Sequence, residues 1–327
     1  MEKYDWRTRV VNYSDLSDAE RDELLLVLPT DGRLLVLDMP NEMYHRGPGV
    51  SSSGLKRMTK SPWAYQHGGQ EEETDAMALG TLCHTALLEP EKLNEELFAL
   101  LPTDENGKDI RRDKRTKAYQ EFLADIGERI QVRHRDWETA QKTAASVRSH
   151  PAFMAWMESD AEHFAEVSVY WLDPASGVLC RCRPDLLTIP RDDALPLTCW
   201  DLKTTKDSGY SAVQFHGEKY GHWPLQASFY TEGLRQFFQR EASFNIIAAE
   251  RDGAMETNIY QYEAQGCVTP IGQIGRAQVR EALDKVAACT ESGQWPRQQE
   301  GIADMEPSAF LSRQYDPETL IEDPEPF

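Results

Sequence analysis

Two carboxylates and a lysine stand at a spacing that suits phosphodiester chemistry: Asp185, directly after Pro184, and then Asp201-Leu202-Lys203. Side chains two apart on a strand point to the same face, so Asp201 and Lys203 emerge together. If Asp185 closes a neighbouring strand, two carboxylates and an ammonium converge. Hard divalent cations favour such oxygen-rich surroundings. A lysine beside them can hold or activate the attacking water and offset charge building on the phosphate oxygens. Metal ions there would polarise the phosphate, generate hydroxide and steady the leaving oxygen. The backbone carbonyl of Leu202 is a further oxygen ligand on the same strand. Taken alone, the pattern equally describes a surface salt bridge.

Two helical patterns add to it. Gly80-Thr-Leu-Cys-His84 sets a glycine and a histidine roughly one turn apart. The glycine permits close approach to a sheet, and the neutral imidazole can then serve as a metal ligand. Gln226-Ala-Ser-Phe-Tyr230 sets an amide and a phenol on one face at i, i+4. Such a pair can orient a phosphate or the nucleophilic water. In isolation, a satisfied buried histidine and an ordinary polar helix face fit these segments as well.

The elements that must position these residues are legible from periodicity. A short helix is expected around Ala19 to Val27. Ser51, Ser52 or Ser53 caps a second helix that ends at Ser61-Pro62. Helical spacing of apolar residues marks 74–89, and 114–158 reads as helical with a break at His150-Pro151. The period then changes: Val167, Val169 and Trp171 alternate with Glu166, Ser168 and Tyr170, a strand. Asp173-Pro-Ala-Ser-Gly177 is a turn, and Val178 to Ile189 is a second strand completing a hairpin. A third strand covers Pro196 to Thr205. A helix over Pro224 to Arg240, a hairpin turning at Asp252-Gly253 and a helix from Ile274 to Cys289 follow. The tail from Gln298 is expected to be extended or disordered. The fold class is therefore α/β, a central mixed β-sheet flanked by helices.

Composition bounds the function. With 327 residues, 40% hydrophobic and 28% charged, the chain suits one large globular domain with terminal additions. No apolar run reaches the ~18 residues that span a bilayer, and the charged start MEKYDWRTRV is no secretory signal. A cytoplasmic protein with no membrane role is expected. The six cysteines form no CxxC pair. Cys180 and Cys182 share a strand face and could bind a metal, but packed free thiols are the simpler reading. The formal charge of -20 argues against a nucleic-acid partner at first sight. However, eight acids against one arginine lie from Glu300 onward, and the local field is what acts on DNA. The window from Lys108 to Lys117 holds six basic residues against two acidic ones. Arg111, Arg112 and Arg115 in it are candidate DNA contacts, or a solvated helix face.

The order GxxxH, PD, DxK and QxxxY resembles the motif series of the RecB-like branch of PD-(D/E)xK nucleases, and within it the exonuclease VIII (RecE-like), phage-type domain. The likeness is carried by MPNEMYHRGPGVSSSGLKRMTKSP, ALGTLCHTALLEPEKL, AEVSVYWLDPASGVLCRCRPDLL, CWDLKTTKD and WPLQASFYTEGL. It covers residues 37–297. It leaves 1–36 as a variable N-terminal extension and 298–327 as an acidic tail. The resemblance implies a catalytic core of Asp185, Asp201 and Lys203, supported by Gln226 and Tyr230. His84, Asp185, Asp201 and the Leu202 carbonyl would bind metal, with Glu166 as a further acid. Arg183 and Lys206 would contact DNA phosphate. The cofactor implied is Mg2+, with Mn2+ acceptable to the same oxygen ligands. Iron-sulfur relatives bracket the domain with four cysteines, a pattern absent here, so no such cluster is expected.

The activity implied is 5'-to-3' digestion of linear double-stranded DNA from its ends, leaving 3' single-stranded tails. A ring-shaped homo-oligomer and a single-strand annealing recombinase as partner are implied with it. A phage or prophage recombination setting in a bacterial cytoplasm is family habit. The alternatives are a related nuclease of other polarity or endonucleolytic habit, and an inactive DNA-binding relative.

Overall fold

Side-chain caps start and stop the helices where backbone groups would otherwise be orphaned. Ser51 Oγ accepts from the Gly54 amide and opens one helix; Ser61 closes it and caps the next through the Ala64 amide. Thr74 caps the helix that carries His84. At His150-Pro151 one helix ends and another begins, with His150 Nδ1 accepting from Ala152.

The computed structural model describes residues 4–24, 32–69, 74–93, 97–127, 129–263, 269–308 and 311–312. The chain begins with β1 (Val10–Asn12), α1 (Asp18–Leu24) and β2 (Leu34–Leu37). Four helices follow: α2 (Asn41–Arg46), α3 (Ser52–Lys60), α4 (Pro62–His67) and α5 (Asp75–Leu88). Then come β3 (Phe98–Leu100), α6 (Lys117–Ile126), β4 (Ile130–Val132), α7 (His134–Ser149) and α8 (Pro151–Met157). A run of strands succeeds them: β5 (Ala161–Ala165), β6 (Ser168–Leu172), β7 (Leu179–Cys182), β8 (Leu186–Pro190) and β9 (Leu197–Thr205). The last elements are α9 (Tyr210–His216), a π-helical turn over Gly217–Gly221, α10 (Trp223–Phe238), β10 (Ala242–Glu250), β11 (Thr257–Glu263) and α11 (Pro270–Ser292).

A five-stranded mixed sheet, ordered β11-β10-β9-β8-β5, forms the centre. Only β9 and β10 run parallel in it. Its two faces follow the pleat. Leu197 and Cys199 pack with Leu225, Phe229 and Leu234 of α10, while Trp200 and Leu202 pack with Leu82 and Cys83 of α5 and Ala144 of α7. Phe229, Phe237 and Phe244 are fully buried between sheet and helix, each worth ~1.5–3 kcal/mol of apolar transfer. A second sheet, β1-β2-β6-β7, abuts the first, and β3 pairs with β4 in a small third one. No helix among the described residues is long and apolar enough to cross a membrane.

Four sequence expectations are corrected. The stretch 114–158 contains β4, because Gly127 turns out of α6 at φ 57° and Ile130–Val132 pairs with β3. Val178 to Ile189 is two strands in different sheets, divided at Arg183-Pro184-Asp185; proline has no N–H with which to continue a ladder. β5 and α9 were not anticipated. α11 begins at Pro270, capped by Thr269.

The segment before residue 37 contributes β1 and β2, and β2 is paired antiparallel with β6. Its helix, α1, spans Asp18–Leu24, and the part expected over 25–27 lies outside the described residues. So do 309–310 and 313–327 of the acidic tail, and Cys267. The other five cysteines are buried and free.

Candidate active site

The chain passes directly from a strand of one large sheet to the next strand in the other twice, after β5 and after β7, and both crossings bring an acid to the same seam. Glu166 lies between β5 and β6 with φ 51°, a left-handed conformation that non-glycine residues seldom hold. Asp185 lies between β7 and β8. The Glu166 amide donates to the Asp185 carbonyl at 3.0 Å, locking the crossings together. β9 then passes beside them, and the Asp185 Oδ2 atom accepts from the Leu202 amide at 2.6 Å.

His84 reaches the seam from α5. Its Nε2 lies 3.1 Å from the Leu202 carbonyl and its Nδ1 lies 3.4 Å from Asp185 Oδ2. A carbonyl only accepts, so Nε2 carries the hydrogen. Burial holds the ring below the ordinary histidine range, hence neutral, which leaves a lone pair on Nδ1. That lone pair faces a carboxylate oxygen. Two acceptors in opposition call for a proton or a cation between them.

Ligand atoms of His84, Glu166 and Asp185 all lie within 4.8 Å of one another. Burial raises Asp185 well above the usual carboxylate range, and the neighbouring Asp201 adds to it. Burial, then Asp185, pushes Glu166 up to about 7. For each acid, burial and the neighbouring carboxylate outweigh the nearby positive charges, Arg183 for Glu166 and Lys203 for Asp185. The donor set of one imidazole and two carboxylates fits a small hard cation.

Asp201 stands beside this trio rather than in it. Gln226 Nε2 on α10 donates to Asp201 Oδ1 at 2.6 Å, and the Lys203 ammonium pairs with Oδ2. Although burial opposes its charge, Asp201 and Asp185 together hold the Lys203 ammonium above the ordinary lysine range.

The remaining expected site residues are placed differently. Tyr230 is buried, its ring edge-on to Phe244 at 5.8 Å, and among the described residues it makes no hydrogen bond to the acids, so it serves the site by packing. Arg183, expected on DNA phosphate, is turned inward: it donates to Glu166 Oε2 at 2.6 Å and to the Met39 carbonyl at 2.9 Å, so its charge orients Glu166. Lys206 is exposed just beyond β9. In the basic window, Arg112 pairs with Asp75 and Arg115 with Asp113, which offsets much of its field, while Arg111 is exposed. Gly80 is not needed for close approach, because an added Cβ would meet only Thr204 Oγ1, at 3.8 Å.

Sequence reasoning missed Lys56. It lies on α3, whose Leu55 and Met58 are fully buried, and it forms no hydrogen bond or ion pair among the described residues. Burial, reinforced by Lys203, brings its ammonium down to about 8. The only hint in the sequence was a lysine flanking the buried stripe of a capped helix.

One consequence can be measured directly. Protons on Glu166 and Asp185 compete with a metal ion, and Glu166 titrates near 7. Mn2+ affinity, followed by calorimetry, is expected to rise as pH goes from 6 to 8, by up to about tenfold per unit below that value. An affinity independent of pH would remove these carboxyls from the metal site.

Comparison with known proteins places this geometry. The model of a PDDEXK-like domain of unknown function, DUF3799, matches residues 51–306. No curated protein matches the chain in sequence. Among solved structures, an Eubacterium rectale protein described as a candidate exonuclease is 12% identical, with a TM-score of 0.50 over 86% of this chain and 99% of its own. At that identity the likeness concerns the fold. A further structure, SSO0001, is 14% identical over 44% of this chain and 67% of its own, with a TM-score of 0.23, which carries no argument.

Proposed function

Since the chain belongs to the DUF3799 family of PDDEXK-like domains, within the PD-(D/E)xK nuclease superfamily, we propose that it is a metal-dependent exodeoxyribonuclease acting on the ends of linear duplex DNA. The observation that carries the reading is the opposition of His84 Nδ1 and Asp185 Oδ2 beside Glu166, a gap between acceptors with an ammonium alongside.

A divalent ion held by His84, Glu166 and Asp185 would supply Lewis acidity and lower the pKa of a bound water. The chain's own residues do the rest. Lys203, kept charged by Asp201, offsets negative charge as it builds on the phosphate. Gln226 fixes the Asp201 carboxylate, and Arg183 fixes Glu166. Lys56 brings an uncommitted positive charge to the same side of the sheet as Lys203, suited to a phosphate oxygen.

The finer reading is 5'-to-3' digestion dependent on Mg2+, leaving 3' tails for an annealing protein, by a ring-shaped assembly. A ring would reconcile the charge of -20 with DNA, since a basic channel can coexist with an acidic exterior.

The test is a time course on 5'- and 3'-labelled linear duplex and on covalently closed circles, with Mg2+, with Mn2+ and with EDTA. Early release of the 5' label, intact circles and no turnover in EDTA are expected. Cutting of the closed circle would overturn the exonuclease reading.

A further inference from the structure

The segment that runs from β9, which carries Lys203, to α10, which carries Gln226, holds an exposed aromatic cluster. Phe215 and Tyr220 are 57% and 58% exposed, far above what large aromatic side chains show in the rest of the fold, and Tyr210 is 66% exposed. The Phe215 and Tyr220 rings meet edge-on at 5.9 Å. Lys219 Nζ lies 5.1 Å from one ring centre and 5.3 Å from the other. The cluster is mounted on a closely packed turn. Its π-helical turn wraps the buried Trp223 indole so closely that a Cβ at Gly221 would lie 2.2 Å from the indole nitrogen. Such turns recur at functional sites.

Position and charge narrow the occupant. Lys203 lies upstream on β9 and Gln226 one turn downstream in α10. Between Lys203 and Trp223 two lysines, Lys206 and Lys219, and two histidines stand against two acids, Asp207 and Glu218, in a chain of net charge -20. The excess of acid therefore relents in the segment that leads from Lys203 to α10. An aromatic pair with a lysine at its centre suits nucleic-acid bases, whose π-faces stack and whose backbone is anionic. It suits a subunit interface less well, because lysine is depleted at interface cores.

We propose that Phe215 and Tyr220, with Lys219 between them, form a platform that stacks on unpaired bases at the DNA end and holds the strand beside the catalytic residues. This rests on the nuclease reading above and specifies which part of the substrate the segment takes.

The test uses the full chain in EDTA, with a duplex bearing a short single-stranded tail that contains 2-aminopurine. Stacking quenches the probe's fluorescence. Wild type is expected to quench it on binding. Phe215→Ala with Tyr220→Ala is expected to abolish the quench and to weaken binding of tailed duplex about tenfold per base released, roughly 1.4 kcal/mol each. Phe215→Tyr with Tyr220→Phe should retain both, which separates stacking from misfolding. Unchanged quenching in the alanine variant would overturn the proposal. So would loss of a homo-oligomer in that variant, by sedimentation, with the quench intact. The two readings fail separately: quenching without Mg2+-dependent cleavage sinks the nuclease, and cleavage without quenching sinks the platform.

Discussion

Lys203→Ala is expected to lower DNA digestion by about 10²–10⁴-fold, the range spanned by a single group acting on transition-state charge. Among the described residues, no neighbouring cation is held on Asp201 in the way Lys203 is. Arg183 is committed to Glu166 and the Met39 carbonyl, and Lys56 comes from α3, without the Asp201 pairing that fixes Lys203. Asp201→Asn should match it, because it keeps the Gln226 contact but removes the charge that holds Lys203 in place. Both variants break a buried ion pair, which can cost ~3–5 kcal/mol, so thermal melts must accompany the assay. DNA binding in EDTA should stay close to wild type. Single-turnover rates within tenfold of the parent, ~1.4 kcal/mol of barrier, in a folded Lys203 variant would remove that residue from the chemistry.

Two glycine-to-alanine changes should move stability in opposite directions. At Gly275 on α11, a Cβ would lie 2.1 Å from the Pro224 carbonyl oxygen and 2.4 Å from Ser228 Oγ, both on α10. Backbone cannot rotate away as a side chain can, so the helices must separate. Overpacking of this kind costs ~1–3 kcal/mol or more, against the ~1 kcal/mol gained by helix propensity. At Gly80 on α5 the same methyl meets nothing nearer than 3.8 Å, so the propensity gain of up to ~1 kcal/mol should survive. Denaturant midpoints would measure both. Gly275→Ala should also slow digestion, since α10 carries Gln226, whereas an equal or higher midpoint for Gly275→Ala would contradict the close helix crossing.

What was legible in the sequence was what local physics decides. The serine cap within Ser51 to Ser53, the alternation of Val167, Val169 and Trp171, and the same-face placement of Asp201 and Lys203 all depend on neighbours within a few residues. The rest depends on distant partners. Nothing local says that Arg183-Pro184-Asp185 leaves one sheet for another, though Pro184 gave warning. Nothing local says that Arg183 turns inward to Glu166, or that Lys56 shares a charge environment with Lys203. His84 was readable as a candidate ligand, but its pairing with the Leu202 carbonyl is fixed by how α5 lies across β9. The aromatic segment after Lys206 shows no period of either kind, because its order comes from folding around Trp223.

The pairing of β2 with β6 bears on how the protein can be divided. The family match begins at residue 51, yet Leu34–Leu37 supplies the hydrogen-bonding partner of Val169 and Tyr170. A fragment trimmed to the match would uncover an unpaired strand edge along β6 and strip cover from the buried Tyr170. Unguarded edges of that kind recruit other chains. Poor solubility of such a fragment would report a missing strand rather than a defect in the chemistry.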